Sequence, residues 1–207
     1  MTRRPLICLV TDRQRADPVA QAAAAAAAGV DLIQVREREL DAAALASLVR
    51  RVLDGVRDTA TQVVVNDRLD IALACGAHGV HLRADSIAVT DVKRIVPAGF
   101  LVGRSIHSVS EAAAAAGADY LVAGTVFPTS SKPEQPVHLG VEGLRSIVEA
   151  TRTPVLAIGG VTFDTLDAVV RARAAGIAAI GLFAVTEPLY VLVRTLRSRF
   201  DTVKSAP

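Results

Sequence analysis

Eight short apolar runs, each followed by a helix-compatible segment, constrain the fold of this chain more than any other feature of its sequence. The runs are rich in Val, Ile and Leu and mostly lack polar alternation, which is typical of parallel strands buried on both faces. They are LICLVT (6–11), LIQVRE (32–37), QVVVND (62–67), GVHL (79–82), LVGRS (101–105), YLVAGTVF (120–127), VLAIGG (155–160) and AAIGLF (178–183). Eight such units in 207 residues predict a (β/α)8 TIM barrel, a single domain over residues 1–207.

Glycines mark the predicted turns between helices and strands. Gly29, Gly117 and Gly176 follow an alanine in three segments of the same form, and Gly76 lies in a looser copy. Each glycine stands where a helix should stop and a strand should start. This position favours the left-handed backbone conformation that glycine adopts most easily.

Helix starts are marked as well, and the turn after the first strand separates two candidate folds. Asp17-Pro18 predicts a helix N-cap followed by proline at the first helical position, and Ser108-x-x-Glu111 predicts a capping box. A doubly wound open sheet is the alternative fold, and it often carries a glycine-rich turn after its first strand. Here that turn reads VTDRQRADP, without glycine, which favours the barrel.

Composition limits the class of protein and its partners. The chain is 51% hydrophobic and 21% charged, which indicates a globular protein, and its net charge of +2 argues against nucleic-acid binding. No secretory signal is evident, and the Ala-rich segment 20–28 is far too short to span a membrane. Cys8 and Cys75 lie in apolar patterns and are interpreted as reduced core thiols of a cytoplasmic protein.

Polar residues concentrate where the predicted strands end, which in a barrel is the face that carries chemistry. They include basic, carboxylate, hydroxyl and imidazole side chains and a glycine pair. In chain order they are Gln34, Arg36, Arg38, Asn66, Asp67, His81, Asp85, Ser105, His107, the loop Pro128–Lys132 with Thr129 and Ser131, Gly159, Gly160 and Gly181.

These residues together predict a site for two anionic groups. Arg36, Arg38 and Lys132, with several hydroxyls and the Asp67 carboxylate, suit a diphosphate held with a divalent metal. The Gly159-Gly160 pair suits a phosphate cup built from backbone N–H groups. Such a site would join a diphosphate-activated substrate to a phosphorylated acceptor.

Each residue also has a purely structural interpretation. Arg36 and Arg38 could pair with nearby carboxylates, and Asp67 could cap the next helix. The histidines could be hydrogen-bonded core or rim residues, and the roles of His78, His81, His107 and His138 are left open.

The order of the motifs resembles the thiamine phosphate synthase and TenI superfamily over about residues 6–185. The motifs that carry the resemblance are LVTD (9–12), QVRER (34–38), VNDRLDIA (65–72), GVHL (79–82), GRSIHS (103–108), GTVFPTSSK (124–132) and AIGGV (157–161). The resemblance implies a (β/α)8 barrel. It also implies a synthase that joins hydroxymethylpyrimidine diphosphate to a thiazole phosphate and releases diphosphate.

The resemblance also implies roles for individual residues. Its diphosphate ligands fall on Gln34, Arg36, Arg38, Ser105, Thr129, Ser131 and Lys132, with Ser105 and Lys132 interpreted as catalytic. Asn66 and Asp67 correspond to the pair that contacts diphosphate and Mg²⁺, and Gly159, Gly160 and Gly181 to the thiazole phosphate cup.

Departures from the family pattern leave other functions open. The synthase has an Asp as second Mg²⁺ ligand where this chain has Ser86, with Asp85 one residue early. Asp85 is named as the candidate second ligand, and whether Asp85 or Ser86 serves that position is left open. The TenI branch, a thiazole tautomerase, uses a histidine where this chain has Thr125. A paralogue that binds thiazole or thiamine phosphate without turnover is the third hypothesis, and a homo-oligomer is also left open.

Overall fold

The computed structural model describes residues 4–129, 138–184 and 188–204. Eight parallel strands in these ranges pair in chain order and close into a barrel, which confirms the predicted (β/α)8 fold. The strands are β1 (Leu6–Val10), β2 (Leu32–Val35), β3 (Gln62–Asn66), β4 (Gly79–Leu82), β5 (Leu101–Ile106), β6 (Tyr120–Gly124), β7 (Val155–Ile158) and β8 (Gly176–Ala179). The helices are α1 (Pro18–Ala27), α2 (Ala42–Val56), α3 (Leu69–Cys75), α4 (Val89–Ile95), α5 (Val109–Ala114), α6 (Gly140–Ala150), α7 (Phe163–Arg171) and α8 (Leu189–Lys204), with a 3₁₀ turn at Gly181–Phe183.

The predicted helix starts are found, with one difference in detail. The Asp17 carboxylate accepts hydrogen bonds from the first turn of α1, including one of 2.8 Å from the Val19 N–H. Ser108 caps α5 by accepting from the Glu111 N–H at 3.2 Å. The Glu111 carboxylate accepts from the His107 N–H at 2.7 Å, one residue earlier than a capping box requires.

The eighth strand lies two residues earlier in the chain than predicted. Gly29, Gly76 and Gly117 have left-handed backbone angles as expected, but Gly176 is the first residue of β8 and pairs with Leu6. The left-handed residue after α7 is Arg173, with φ of 62°. Because the segment AAGIAAIGLF is apolar throughout, hydrophobicity alone does not mark where its strand begins.

Two apolar layers hold the barrel together. The larger layer lies between the strands and the helices, and a smaller one fills the barrel interior. The interior layer consists of Cys8, Val10, Leu32, Tyr120, Val122, Leu156 and Ala178. Burial raises the pKa of the Cys8 thiol to about 12, and both cysteines are free. None of the described helices is long and apolar enough to cross a bilayer.

Candidate active site

Polar side chains point into the barrel at the carboxyl ends of β2 to β5. Gln34 is buried, and its Nε2 donates to Asn66 Oδ1 at 3.3 Å. Asn66 is in register with His81 on the next strand. The Nε2 atom of His81 lies 2.9 Å from the Ser105 hydroxyl of β5. The barrel therefore brings four residues that are far apart in sequence onto one inward-facing row.

Arg36 and Arg38 follow β2 at the same mouth of the barrel. Arg36 is half-buried and Arg38 is exposed. Burial lowers the pKa of Arg36, and the neighbouring Arg38 charge lowers it further, while the charges of Asp12, Glu37 and Glu39 raise it. Among the described residues neither guanidinium forms an ion pair or hydrogen bond. The nearby carboxylates have other partners: Glu39 pairs with Arg13 at 2.7 Å, and Glu37 accepts from the Thr11 hydroxyl. Within the described residues, Arg36 and Arg38 therefore do not form the ion pairs that a purely structural role would require.

Glu37 is a buried carboxylate that the sequence analysis did not single out. It accepts hydrogen bonds of 2.6 Å from the Thr11 hydroxyl and 3.1 Å from the Arg13 N–H. Thr11 Oγ1 also accepts from the Arg36 N–H at 3.0 Å. Burial raises the pKa of Glu37, and its hydrogen bonds oppose that shift. Glu37 thus holds the loop after β1 against the end of β2, which Arg36 directly follows.

Asp67 has a left-handed backbone, with φ of 56°, and does not cap a helix. The N-cap residue of α3 is Arg68, which forms no side-chain cap. Instead, the Asp67 carboxylate accepts a hydrogen bond from the Ser86 hydroxyl, and its Oδ2 lies 3.7 Å from an Arg83 nitrogen. The Asp67 carboxylate, which follows β3, therefore contacts the loop after β4.

The loop after β4 presents Ser86, rather than Asp85, to Asp67. Asp85 is largely exposed and pairs with Arg83 at 2.6 Å. Arg104 of β5 holds the loop by donating three hydrogen bonds to its carbonyl oxygens. These carbonyls belong to Ala84, Ser86 and Ile87, at 2.7, 3.1 and 2.6 Å respectively. The role of Asp85 as a metal ligand stays a prediction. Arg83 and Arg104 hold the loop after β4 in place, and the sequence motifs did not point to this role.

The donor atoms around Asp67 suit a hard divalent cation in one respect. They are oxygens, from the Asp67 carboxylate and the Ser86 hydroxyl, with the Asn66 amide one residue away. The described residues contain no group of three or more His, Cys, Asp or Glu side chains that could hold a metal by themselves. Since Mg²⁺ is commonly held by one or two carboxylates together with substrate phosphates, this site fits a cation that arrives with an anionic ligand.

A cavity of about 190 Å³ opens between the ends of β2, β3 and β4. Its polar lining includes Arg38, Asn66, Asp67, Arg68 and Arg83. Glu37 lines it as well, and two of the three guanidinium groups are paired: Arg68 with Asp70 and Arg83 with Asp85, each at 2.6 Å. Among the described residues, Arg38 therefore supplies the unpaired positive charge of this cavity, which suits an anion.

The Gly159-Gly160 pair joins the loops after β6 and β7. Both residues have left-handed angles, with φ of 93° and 64°. A Cβ at Gly159 would lie 2.3 Å from the Thr125 side chain, and one at Gly160 would lie 2.4 Å from the Pro128 carbonyl oxygen. Gly159 O also accepts from the Phe127 N–H at 3.0 Å. Only glycine fits this close contact, whether or not a phosphate binds there.

Gly181 and the hydroxyl loop complete the predicted site. Gly181 starts the 3₁₀ turn after β8, and a Cβ there would lie 4.0 Å from an Arg15 nitrogen. Arg15, on the loop after β1, was not used in the sequence analysis, and its guanidinium pairs with Asp12 at 3.2 Å. Thr129 lies within the described residues, whereas Ser131 and Lys132 lie outside them.

The remaining histidines have separate environments. His78 stands just before β4, at the opposite end of the barrel, and its Nδ1 accepts from the Val63 N–H at 3.0 Å. His107 Nδ1 donates to the Gly124 carbonyl oxygen at the end of β6. His138 is partly buried beside residues outside the described ranges. Of the four histidines, only His81 lies on the inward-facing row.

Comparisons with known proteins agree with this architecture. The sequence profile of the family described as thiamine monophosphate synthase matches residues 7–183. A thiamine-phosphate synthase of Methanoregula boonei is 41% identical over 182 residues, covering 87% of this chain and 84% of the relative. Another, of Methanoculleus marisnigri, is 39% identical and covers 87% of both chains.

A solved structure extends the likeness to three dimensions. Thiamine phosphate pyrophosphorylase from Pyrococcus furiosus superposes with a TM-score of 0.85 and 32% sequence identity, over 97% of each chain. The family profile and these relatives cover most of the chain, and the strand ends carry the motifs in the predicted order. The chain therefore belongs to the thiamine monophosphate synthase family.

Proposed function

We propose that this protein is a thiamine phosphate synthase-like transferase, which joins hydroxymethylpyrimidine diphosphate to a thiazole phosphate and releases diphosphate. The names of its relatives support this activity. The observation that carries the proposal is the pair Arg36 and Arg38. These two neighbouring guanidiniums have no partner among the described residues, at the mouth of a barrel that offers Asn66 and Asp67 beside them.

The reaction needs positive charge most when the bond to diphosphate breaks. The carbon–oxygen bond to diphosphate is lost as the thiazole nitrogen bonds to the pyrimidine methylene carbon, so negative charge grows on the leaving oxygen. Groups that stabilise this charge more in the transition state than in the bound substrate accelerate the step. We assign this role to Arg36, Arg38 and Lys132, with the Ser105 hydroxyl as a hydrogen-bond donor.

Other predicted residues would bind and orient the two substrates. Gln34, Asn66, Thr129 and Ser131 would complete the diphosphate site. Gly159, Gly160 and Gly181 would offer backbone N–H groups to the phosphate of the thiazole, with Arg15 close to Gly181.

Mg²⁺ is the cofactor we propose, held by Asp67 and by either Asp85 or Ser86. When bound, it would neutralise charge on the diphosphate oxygens. The side-chain amide of Asn66, which is hydrogen-bonded to Gln34, would lie next to the Asp67 carboxylate. A cytoplasmic location stays a prediction of the sequence, and the oligomeric state is left open.

The direct test is diphosphate release by the purified protein. We expect release only when hydroxymethylpyrimidine diphosphate, thiazole phosphate and Mg²⁺ are all present, and none when either substrate is omitted. A folded protein that thiazole phosphate stabilises against heat, but that releases no diphosphate, would contradict the proposal. It would instead favour the tautomerase or the non-catalytic binder.

Ser86→Asp is expected to lower the Mg²⁺ concentration needed for half-maximal activity, by roughly three- to tenfold, because it adds a second carboxylate where Ser86 already contacts Asp67. The measurement is a Mg²⁺ titration of diphosphate release, with Mn²⁺ binding measured by calorimetry in parallel. Asp85→Ala is the paired variant. A raised Mg²⁺ requirement in Asp85→Ala would identify Asp85 as the second ligand. An unchanged titration in Ser86→Asp would contradict the placement of the metal beside Asp67.

A further inference from the structure

Three polar side chains form a buried chain across the barrel interior. The Tyr120 hydroxyl lies 3.1 Å from His81 Nδ1, and His81 Nε2 lies 2.9 Å from Ser105 Oγ. Tyr120 and His81 are 3% and 2% exposed, whereas Ser105 is partly exposed at the carboxyl end of β5. The chain therefore leads from the apolar interior of the barrel to the row of site residues.

The residue opposite Tyr120 makes room for this arrangement. Gly103 of β5 is in register with Tyr120 of β6. A Cβ at Gly103 would lie 2.2 Å from Tyr120 Cζ and 2.5 Å from its hydroxyl oxygen, so the phenol lies directly across the β5 backbone. The phenol and imidazole rings stack, with centroids 5.6 Å apart. Three strands thus contribute residues that fit one another around a single hydrogen-bonded path.

The hydrogen-bond partners of Tyr120 and His81 determine where the protons of these two side chains lie. Burial raises the pKa of Tyr120 well above its usual value, so the phenol keeps its proton. Within the described ranges the only hydrogen-bond partner of this hydroxyl is His81 Nδ1, and a buried donor without an acceptor is costly. The phenol therefore donates to Nδ1. A ring nitrogen that accepts a hydrogen bond carries no proton, so the imidazole proton of His81 lies on Nε2.

The direction of the last hydrogen bond matters for Ser105. With the proton on Nε2, the imidazole donates to Ser105 Oγ and leaves the hydroxyl proton of Ser105 free. With the opposite tautomer, Ser105 would donate to Nε2 and would turn only lone pairs toward an anion. A hydroxyl is useful to a diphosphate only as a donor, since phosphate oxygens are acceptors.

We propose that His81 and Tyr120 are positioning residues that fix Ser105 as a hydrogen-bond donor to the anionic substrate. The proposal rests on the proposed function, because it takes the diphosphate as the group that Ser105 meets. It assigns His81 a role through Ser105 and no proton transfer of its own.

The first test reads the tautomer directly and does not depend on turnover. In protein labelled with ¹⁵N at histidine, we expect His81 to show a protonated Nε2 and an unprotonated Nδ1. Tyr120→Phe removes the donor to Nδ1 and is expected to produce a mixture of the two tautomers. Tyr190→Phe alters the only other tyrosine, which is exposed, and should leave the His81 signals unchanged. A protonated Nδ1 in the unmodified protein would overturn the proposal.

The second test is a double-mutant cycle on diphosphate release. Tyr120→Phe is expected to lower kcat roughly fivefold, the effect of about one hydrogen bond, with the KM for thiazole phosphate unchanged. In a Ser105→Ala background the same change should have no further effect, because the group through which it acts is gone. An equal loss in both backgrounds would show that Tyr120 acts elsewhere and would overturn the proposal.

Other variants separate this proposal from the proposed function and from misfolding. His81→Gln can still offer an N–H near Ser105 and should keep more activity than His81→Leu at equal melting temperature. If Ser105→Ala itself retains full diphosphate release, Ser105 has no role in the reaction and the positioning proposal fails. If the unmodified protein releases no diphosphate, the proposed function fails. The cycle is then measured on the affinity for inorganic diphosphate, where additive losses would overturn the positioning proposal.

Discussion

Arg36→Gln is expected to lower kcat/KM for diphosphate release by about 100-fold or more, because it removes a preorganised charge at the leaving group. The same change should leave the melting temperature unchanged or slightly higher. Burial and the Arg38 charge both lower the pKa of Arg36, so the charged form is disfavoured in the empty folded protein. The free energy needed to keep Arg36 charged is offset only when an anion binds. A neutral glutamine at this position requires no such free energy.

The two readouts together distinguish a functional arginine from a structural one. Arg94→Gln is the matched control, since Arg94 lies on α4, has a side chain that is 77% exposed and pairs with Asp91 in the adjoining turn. It should change neither activity nor stability appreciably. A large loss of stability in Arg36→Gln, or near-normal turnover, would contradict the site assignment.

Gly176→Ala is expected to reduce the free energy of unfolding by about 2–4 kcal/mol, and therefore to lower the melting temperature by roughly 10 °C. The added methyl would lie 1.8 Å from the Leu6 carbonyl oxygen. That atom belongs to the backbone of β1, so it cannot move away as a flexible side chain would. The strand pair β1 and β8 closes the barrel, and separating it disturbs the whole sheet. Thermal unfolding followed by circular dichroism measures the effect.

Gly55→Ala provides a control with the same chemical change in a different environment. Gly55 is an exposed residue near the end of α2, where a Cβ would meet only the Ala23 methyl at an ordinary 3.6 Å. The change should raise the free energy of unfolding by about 0.5 kcal/mol, because alanine favours the helix more than glycine does. Equal stability of the two variants would contradict the tight β1–β8 contact.

The strand ends illustrate what periodicity reveals and what it does not. Seven of the eight apolar runs begin where the structure has a strand, because buried parallel strands must be apolar and are separated by polar turns. The eighth was placed late because its flanking helix and turn are equally apolar. Its position is set by pairing with β1 and β7, which no local pattern encodes.

The site shows a similar division. Gln34, Asn66 and Ser105 were predicted from motifs, and the barrel places them on β2, β3 and β5, facing inward with His81 of β4 between the last two. Glu37 was missed because its partners, Thr11 and Arg13, lie 26 and 24 residues away in sequence. The metal position that we propose depends on the conformation of the loop after β4, which three hydrogen bonds from Arg104 hold in place.

The sequence by itself determined the barrel, the family and the end of the barrel that carries the polar residues, because these follow from local composition and the order of motifs. Only the tertiary structure decided that Ser86 rather than Asp85 contacts Asp67, that Arg36 and Arg38 lack partners among the described residues, and that Tyr120 reaches Ser105 through His81. The reason is physical. Hydrogen bonds and ion pairs depend on distances of a few ångströms between side chains, and those distances exist only once the strands are in register.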